Sequence, residues 1–150
     1  MLRLQGLVVT TEEELRQCLS VRKEVFVDEQ QVPLDLELDE FDASTSACRH
    51  FLIRDGELPI AAARYRMYDE RTAKLQRIAV RQPYRGKGIG KMMIDMMEDD
   101  IREREIASIM LDSQTHATRF YEKLGYATVS EEPFLDAGIW HVRMTKTITE

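Results

Sequence analysis

Residues 86–90 read Gly-Lys-Gly-Ile-Gly and stand between an apolar run, LQRIAV, and a methionine-rich run, KMMIDMM. Glycine lacks Cβ, so three glycines at alternate positions permit positive φ and let backbone N–H groups come close to a ligand. The apolar run before them suits a strand over residues 75–80. From Gly88 onward, Ile89, Met92, Met93, Met96, Met97 and Ile101 recur at helical spacing on one face. Strand, glycine turn and amphipathic helix in that order predict a helix packed on a sheet, with unpaired N–H groups at the helix mouth beside the glycines. At this spacing the methionines read as core filler rather than as a partner-binding face.

The same region stands out in charge. The chain carries 21 Lys and Arg against 27 Asp and Glu, a net charge of -6, which argues against a general nucleic-acid binder. Yet residues 75–94 contain no acid, while Arg81, Arg85, Lys87 and Lys91 fall on or beside the turn. A local anion cradle inside an acidic protein is the reading that explains both facts, with phosphate as the fitting ligand. The plain alternative is a flexible turn with solvated cations. Spacing excludes two phosphate sites: Lys91 is followed by Met92, so a Walker loop has no hydroxyl for magnesium, and the sixth position from Gly86 is Lys91, which breaks the G-x-G-x-x-G register.

Elsewhere, Leu7, Val8 and Val9 predict a short first strand. Thr11 and Glu14 form a T-x-x-E capping box that opens a helix carrying Leu15, Cys18, Leu19 and Val25 and running to about Phe26. Residues 24–42 then hold eight acids (Glu24, Asp28, Glu29, Asp35, Glu37, Asp39, Glu40 and Asp42) and no base. Val32, Pro33, Leu34, Leu36 and Leu38 interrupt that run, so a loosely folded, irregular connection is expected. It could draw a cationic acceptor, or be a solvated loop. HFLIRDGELPIAAARYRMY predicts two antiparallel strands joined at Asp55-Gly56. Residues 108–112 predict another strand, residues 115–124 a helix closed by Gly125, and residues 126–129 and 140–145 two final strands.

The fold class is therefore α/β of the mixed α+β kind, a central mixed and mostly antiparallel sheet flanked by helices. The strands on either side of the Gly88 helix should pair in parallel, since a crossover helix demands it. A chain of 150 residues, 43% hydrophobic, suits one core and a single domain over residues 1–150.

Arg85-Gly86-Lys87-Gly88-Ile89-Gly90 matches an R/Q-x-x-G-x-G/A motif, and it is preceded by LQRIAV and followed, about one strand later, by HATRFYEKLGY. This order resembles the GNAT superfamily of acyl-CoA-dependent N-acetyltransferases, most strongly over residues 75–126. VFVDEQQVP followed by ELDEFD, and GIWHVRM near the end, resemble its small bacterial ElaA-like branch. The resemblance implies a GNAT fold with a splayed parallel strand pair and acetyl-CoA or coenzyme A as co-substrate, without a metal. It implies that N–H groups of Gly86, Lys87, Gly88, Ile89 and Gly90 bind the pyrophosphate, with Arg85 opening the loop and Lys91 beside it, and that Val80 and Arg81 line the pantetheine. The acetyl carbonyl would lie near the N–H of Ile78 or Ala79, a fixed donor for the developing oxyanion. Tyr121 matches the family's tyrosine that protonates the leaving thiolate, its alternative being an aromatic core contact beside Phe120; Tyr126 reads as structural and Trp140 as core or pocket wall.

A proton acceptor for the attacking amine is required, and the sequence does not single one out. Some relatives carry a carboxylate on the strand before the turn; here that stretch offers Lys74, Leu75 and Gln76. Glu29 and His141 rank first because they fall in the two branch-like segments, ahead of Glu37, Asp39, Glu40, His50 and His116. Each of these is also compatible with a surface acid or a hydrogen-bonded histidine. Cys18 and Cys48 form no ligand cluster and read as reduced thiols. No leader or membrane-spanning run is evident, so a cytoplasmic chain, monomeric or homodimeric, acting on a small-molecule or peptide amine is expected. A coenzyme A-binding module without turnover is the alternative function, and a nucleotide-binding protein is a weaker third, disfavoured by the motif register.

Overall fold

The computed structural model describes residues 1–148. The capping box forms as its sequence requires: the Thr11 hydroxyl accepts from the Glu14 N–H at 3.1 Å, and Glu14 Oε1 accepts from the N–H groups of Thr10 and Thr11 at 2.8 and 3.2 Å. It opens α1 (Glu12–Arg22), which follows β1 (Leu4–Val8). The helix then widens into a π-helical stretch, Lys23–Glu29, with the Gln30 N–H donating to the Val25 carbonyl at 3.2 Å. In an α-helix, residues five apart point about 140° away from each other. The wider π winding turns Glu24 and Glu29 back toward one side.

One helical turn, α2 (Leu34–Glu37), and a 3-10 turn, Glu40–Asp42, lead to the hairpin of β2 (Arg49–Asp55) and β3 (Leu58–Met67). Its turn holds Gly56 at φ +59° and pairs Asp55 with Leu58, as the Asp-Gly dipeptide predicts. β4 (Thr72–Val80), a 3-10 turn (Gln82–Tyr84) and α3 (Ile89–Glu103) follow. The chain closes with β5 (Ser108–Gln114), α4 (Thr118–Lys123), β6 (Ala127–Thr128), β7 (Phe134–Asp136) and β8 (Ile139–Thr147). The strands are hydrogen-bonded in the order β1-β2-β3-β4-β5-β8-β6, with β7 on β8. The β4–β5 pair is parallel, from Thr72 opposite Ser108 to Leu75 opposite Leu111, as a crossover through α3 requires, whereas β1–β2, β2–β3, β5–β8, β6–β8 and β7–β8 are antiparallel.

The chain forms two compact units, residues 1–65 with 77–98, and residues 66–76 with the chain from 99 onward. In the first, Leu15, Cys18, Val21 and Val25 pack with Val9, Leu52, Ala62 and Ala79. Each large apolar side chain buried this way contributes roughly 1.5–3 kcal/mol. Met93 and Met97 of α3 are wholly buried, while Met92 and Met96 lie against β1 so closely that a Cβ on Gly6 would fall 2.2 Å from the Met96 sulfur. In the second unit, Gly125 at φ +98° ends α4, and the Tyr126 N–H donates to the Tyr121 carbonyl at 3.1 Å. β7 is an addition to the predicted elements. Ala137 and Gly138, both at positive φ, fold it onto β8, and alanine in place of Asn or Asp conceals the usual hairpin dipeptide.

The acidic connection departs most from expectation, because Glu37, Asp39 and Asp42 anchor it to a buried ion-pair network. Arg22 forks onto Glu37 (3.0 and 3.1 Å) and Asp42 (2.6 and 2.9 Å), and Arg64 forks onto Asp39 (2.7 and 2.6 Å) while also reaching Asp42 (2.7 Å). Arg77 contacts Glu37 at 2.8 Å and Asp39 at 3.4 Å. Arg22, Arg64 and Glu37 are at most 2% exposed. Burial works to raise the Asp42 pKa, but the Arg22 and Arg64 guanidinium groups prevail and hold it at about 2. Of the eight acids, only Asp35 and Glu40 have no basic partner among the described residues. A diffuse negative field drawing in the acceptor is therefore not what this segment provides.

Candidate active site

The 3-10 turn after β4 is tied down by the Tyr84 hydroxyl, which donates to Asp55 at 2.9 Å, and by the Arg85 N–H, which donates to the Gln82 carbonyl at 3.2 Å. The chain then enters the glycine turn. Gly86 and Gly88 take φ +75° and +80°, values that other residues rarely adopt, and a Cβ built on either would meet no atom within 4 Å. Among the described residues, no protein acceptor takes the N–H groups of Gly86, Lys87 or Gly88. Beyond them α3 begins at Ile89, whose side chain is 1% exposed and anchors the helix mouth, so the first-turn N–H groups add to an open row of donors. Such a row suits an anion that approaches the backbone closely.

The cations around this turn are arranged differently from the sequence expectation. Arg81 pairs with Glu24 at 2.8 Å, Arg85 is gripped by both oxygens of Glu29 at 2.6 and 2.8 Å, and Lys91 pairs with Asp95 at 2.7 Å. Lys87 is exposed and has no ion-pair partner among the described residues. The acids that neutralise the arginines come from the π-helical stretch, 57 and 56 residues earlier in the chain. Arg85 also donates from Nε to the Val80 carbonyl at 2.9 Å, and the Arg81 N–H donates to the Ile60 carbonyl at 2.9 Å. Arg81 and Arg85 therefore brace the turn, and those two backbone groups are already engaged.

Ala79 lies in the core of the first unit, with Ile78 and Val80 half-buried on either side. Just before them Arg77 sits at φ +56°, a left-handed conformation in the middle of a strand. For a residue with a Cβ this costs of the order of 1–3 kcal/mol and persists where surrounding contacts enforce it. Sequence reasoning passed over Arg77, although an arginine inside an apolar strand was the available signal.

The candidate bases now separate. Hydrogen bonds from Arg85 hold Glu29 below the usual carboxylate range, which makes it a weak proton acceptor at neutral pH. Glu37 and Asp39 are committed to arginines. His50 is 1% exposed, faces the Phe41 carbonyl through Nε2 at 3.1 Å, and burial lowers its pKa. His116 contacts the Gln114 side chain at 2.7 Å. His141 lies on β8, stacked on Phe134 with ring centroids 6.2 Å apart. Its Nδ1 is 2.7 Å from the Ile139 carbonyl, which only accepts, so in the neutral ring Nδ1 carries the proton and Nε2 keeps a lone pair.

Tyr121, on α4 in the same unit as His141, meets Phe120 and Tyr126 edge to face at 5.0 and 6.0 Å. Burial pushes its phenol up to about 12, so it stays protonated throughout the neutral range. No partner binds its hydroxyl among the described residues. Asp112 on β5 is a strand carboxylate in this unit; burial works to raise its pKa, but Arg143 at 2.9 Å and Lys74 at 3.3 Å hold it low. Among the described residues, no three or more His, Cys, Asp or Glu side chains are grouped to hold a metal ion, and no helix is long and apolar enough to cross a membrane.

A mixed sheet with one parallel pair, crossed over by a helix whose mouth opens on bare glycine amides, is the architecture of acyl-CoA-dependent acyltransferases. The chain belongs to the GNAT acetyltransferase family: the profile of the acetyltransferase (GNAT) domain matches residues 10–148. It is an acyl-CoA-dependent N-acetyltransferase by that membership and by the relatives it resembles. The Bacillus subtilis protein YjcF, an uncharacterized N-acetyltransferase, is 38% identical over 143 residues, 95% of this chain and 99% of YjcF. The crystal structure of Escherichia coli ElaA superposes with a TM-score of 0.81 at 26% identity, covering 97% of this chain and 99% of ElaA. A Pseudomonas aeruginosa acyl-CoA N-acyltransferase matches equally, with a TM-score of 0.81 at 25% identity over 97% and 99% of the two chains.

Proposed function

We propose that the chain acts as one GNAT domain over residues 1–150, transferring the acetyl group of acetyl-CoA to a primary amine by direct attack in a ternary complex. The observation that carries this reading is the open row of N–H donors at Gly86, Lys87 and Gly88. These groups, with Ile89 and Gly90 at the helix mouth, bind the pyrophosphate, and Lys87 is the side chain that adds formal charge. Val80 and Arg81 flank the pantetheine. Arg85 shapes the loop through Glu29 and Val80, and Lys91 contributes at longer range.

The amine nitrogen attacks the thioester carbon, and the N–H of Ile78 or Ala79 stabilises the oxyanion as the C–N bond forms. His141 Nε2 takes the amine proton. When the C–S bond breaks, Tyr121 gives its phenolic proton to the thiolate. A phenol at about 12 is a reluctant donor to a thiolate, so transfer depends on close placement and not on acidity. The acceptor is a small-molecule or peptide amine, and the working form is a monomer or homodimer.

Acetyl-CoA should raise the melting temperature, and addition of an amine should then release free thiol. Tyr121→Phe should keep acetyl-CoA affinity and lower kcat roughly 100-fold. Full activity in that variant would remove the acid assignment. The absence of an uncommitted carboxylate at Lys74, Leu75, Gln76 or Asp112 favours a second reading, a coenzyme A-binding module without turnover. It predicts the same thermal shift with no thiol release from any amine of a broad panel.

A further inference from the structure

Arg77 is at φ +56° within β4, a position where glycine or asparagine would be at ease and arginine is not. The parallel ladder on β4 ends two residues earlier, at Leu75. What holds the conformation is visible. The guanidinium donates from Nε to the Glu37 carbonyl at 3.1 Å and forms an ion pair with the Glu37 carboxylate at 2.8 Å, and Nη2 reaches the Asp39 carboxylate and the Leu36 carbonyl, each at 3.4 Å. Those acids are themselves fixed by Arg22 and Arg64, so the anchor is rigid.

A residue at positive φ rotates the peptide that follows it out of the regular ladder direction. The peptide following Arg77 carries the Ile78 N–H, and Ala79 next to it is pinned in the core. We propose that Arg77 is a positioning residue: its guanidinium, seated on Glu37 and Asp39, holds β4 in a left-handed kink that aims the Ile78 and Ala79 N–H groups at the thioester carbonyl. This rests on the acetyl-transfer reading above, and it gives the acidic connection a role in catalysis through geometry instead of through its net charge.

Three variants test it. Arg77→Met keeps the stem and removes the charge; Arg77→Lys keeps one charged contact; Asp39→Asn weakens the anchor from the other side. Expected for Arg77→Met are a kcat for thiol release about 50-fold lower, an acetyl-CoA affinity by calorimetry within about threefold of the parent, and a crystal structure in which residue 77 has left the left-handed region. Arg77→Lys should recover most of the rate, and Asp39→Asn should lose a few-fold. Should Arg77→Met fail to fold, the other two carry the same comparison of kcat against affinity. The proposal is overturned if kcat is unchanged, if residue 77 remains at positive φ in Arg77→Met, or if affinity falls in step with kcat, which would mark a loss of fold. Should the parent protein bind acetyl-CoA yet release no thiol with any amine, the transfer reading itself fails, and the two crystal structures then judge the kink alone.

Discussion

The glycine turn and the acidic connection each carry charged side chains of a single sign, basic in the one and acidic in the other, and they use charge in opposite ways. Residues 24–42 turn three of their eight acids, Glu37, Asp39 and Asp42, onto Arg22, Arg64 and Arg77, where the charge is largely desolvated and fixes backbone. Residues 86–88 keep their backbone N–H donors bare, and the neighbouring Arg81 and Arg85 are braced by Glu24 and Glu29. A buried pair must be complete, because removing one partner leaves the other uncompensated in a medium of low dielectric. A ligand site must be incomplete, because a donor already satisfied has nothing to offer. The two regions should therefore respond to mutation in different measurements, one in stability and the other in affinity.

The largest effect is expected from Arg22→Ala, which removes the buried fork shared by Glu37 and Asp42 and leaves each with one remaining cation, Arg77 for Glu37 and Arg64 for Asp42. It should cost roughly 3–5 kcal/mol, lowering Tm by about 10 °C or more, with acetyl-CoA affinity of the surviving folded protein unchanged. Circular dichroism melts and calorimetry check both halves, and a Tm within about 2 °C of the parent would erase the contrast. Gly88→Val should do the reverse. A β-branched side chain at φ +80° fills the approach to the turn, so acetyl-CoA affinity should fall at least 100-fold while the ligand-free Tm drops only a few degrees.

Acid should sharpen the comparison. Asp42 titrates at about 2 in the folded chain against an ordinary value of 3.8, so the unfolded state takes up its proton first as pH falls. Its stabilisation is complete above about pH 4 and drains away between about pH 4 and 2, on the order of 2 kcal/mol from this one carboxyl. Urea midpoints measured across that window should decline; a flat series would mean that the network adds little. The smallest effect belongs to Glu29→Gln. The pair with Arg85 is partly exposed, so stability should change by less than about 1 kcal/mol and kcat by no more than about threefold. A loss of 100-fold or more in kcat would restore Glu29 as the base and displace His141.

Much of this was legible beforehand where the cause is local. Thr11 and Glu14 announced the start of α1, Asp55-Gly56 the hairpin, Gly125 the end of α4, and the spacing of Ile89, Met93 and Met97 the buried face of α3. The parallel pair followed from the crossover through α3. The Ala137-Gly138 hairpin was hidden because its turn uses an alanine at positive φ, against the preference that makes such turns readable. The acid-free window around the turn was also misleading, since Glu24 and Glu29 reach it from a distant segment, aligned by a π winding that no simple periodicity reveals.

The amino-acid order alone thus determined most of the elements, their sequence and the glycine turn, because caps, helical spacing and positive-φ preferences act over a few neighbouring residues. Which charges are partnered, which histidine keeps a free lone pair, and why Arg77 is held in a kink were decided only by the tertiary structure. Coulombic and hydrogen-bond energies depend on distances in space, and residues some forty to sixty positions apart acquire those distances only when the chain has folded.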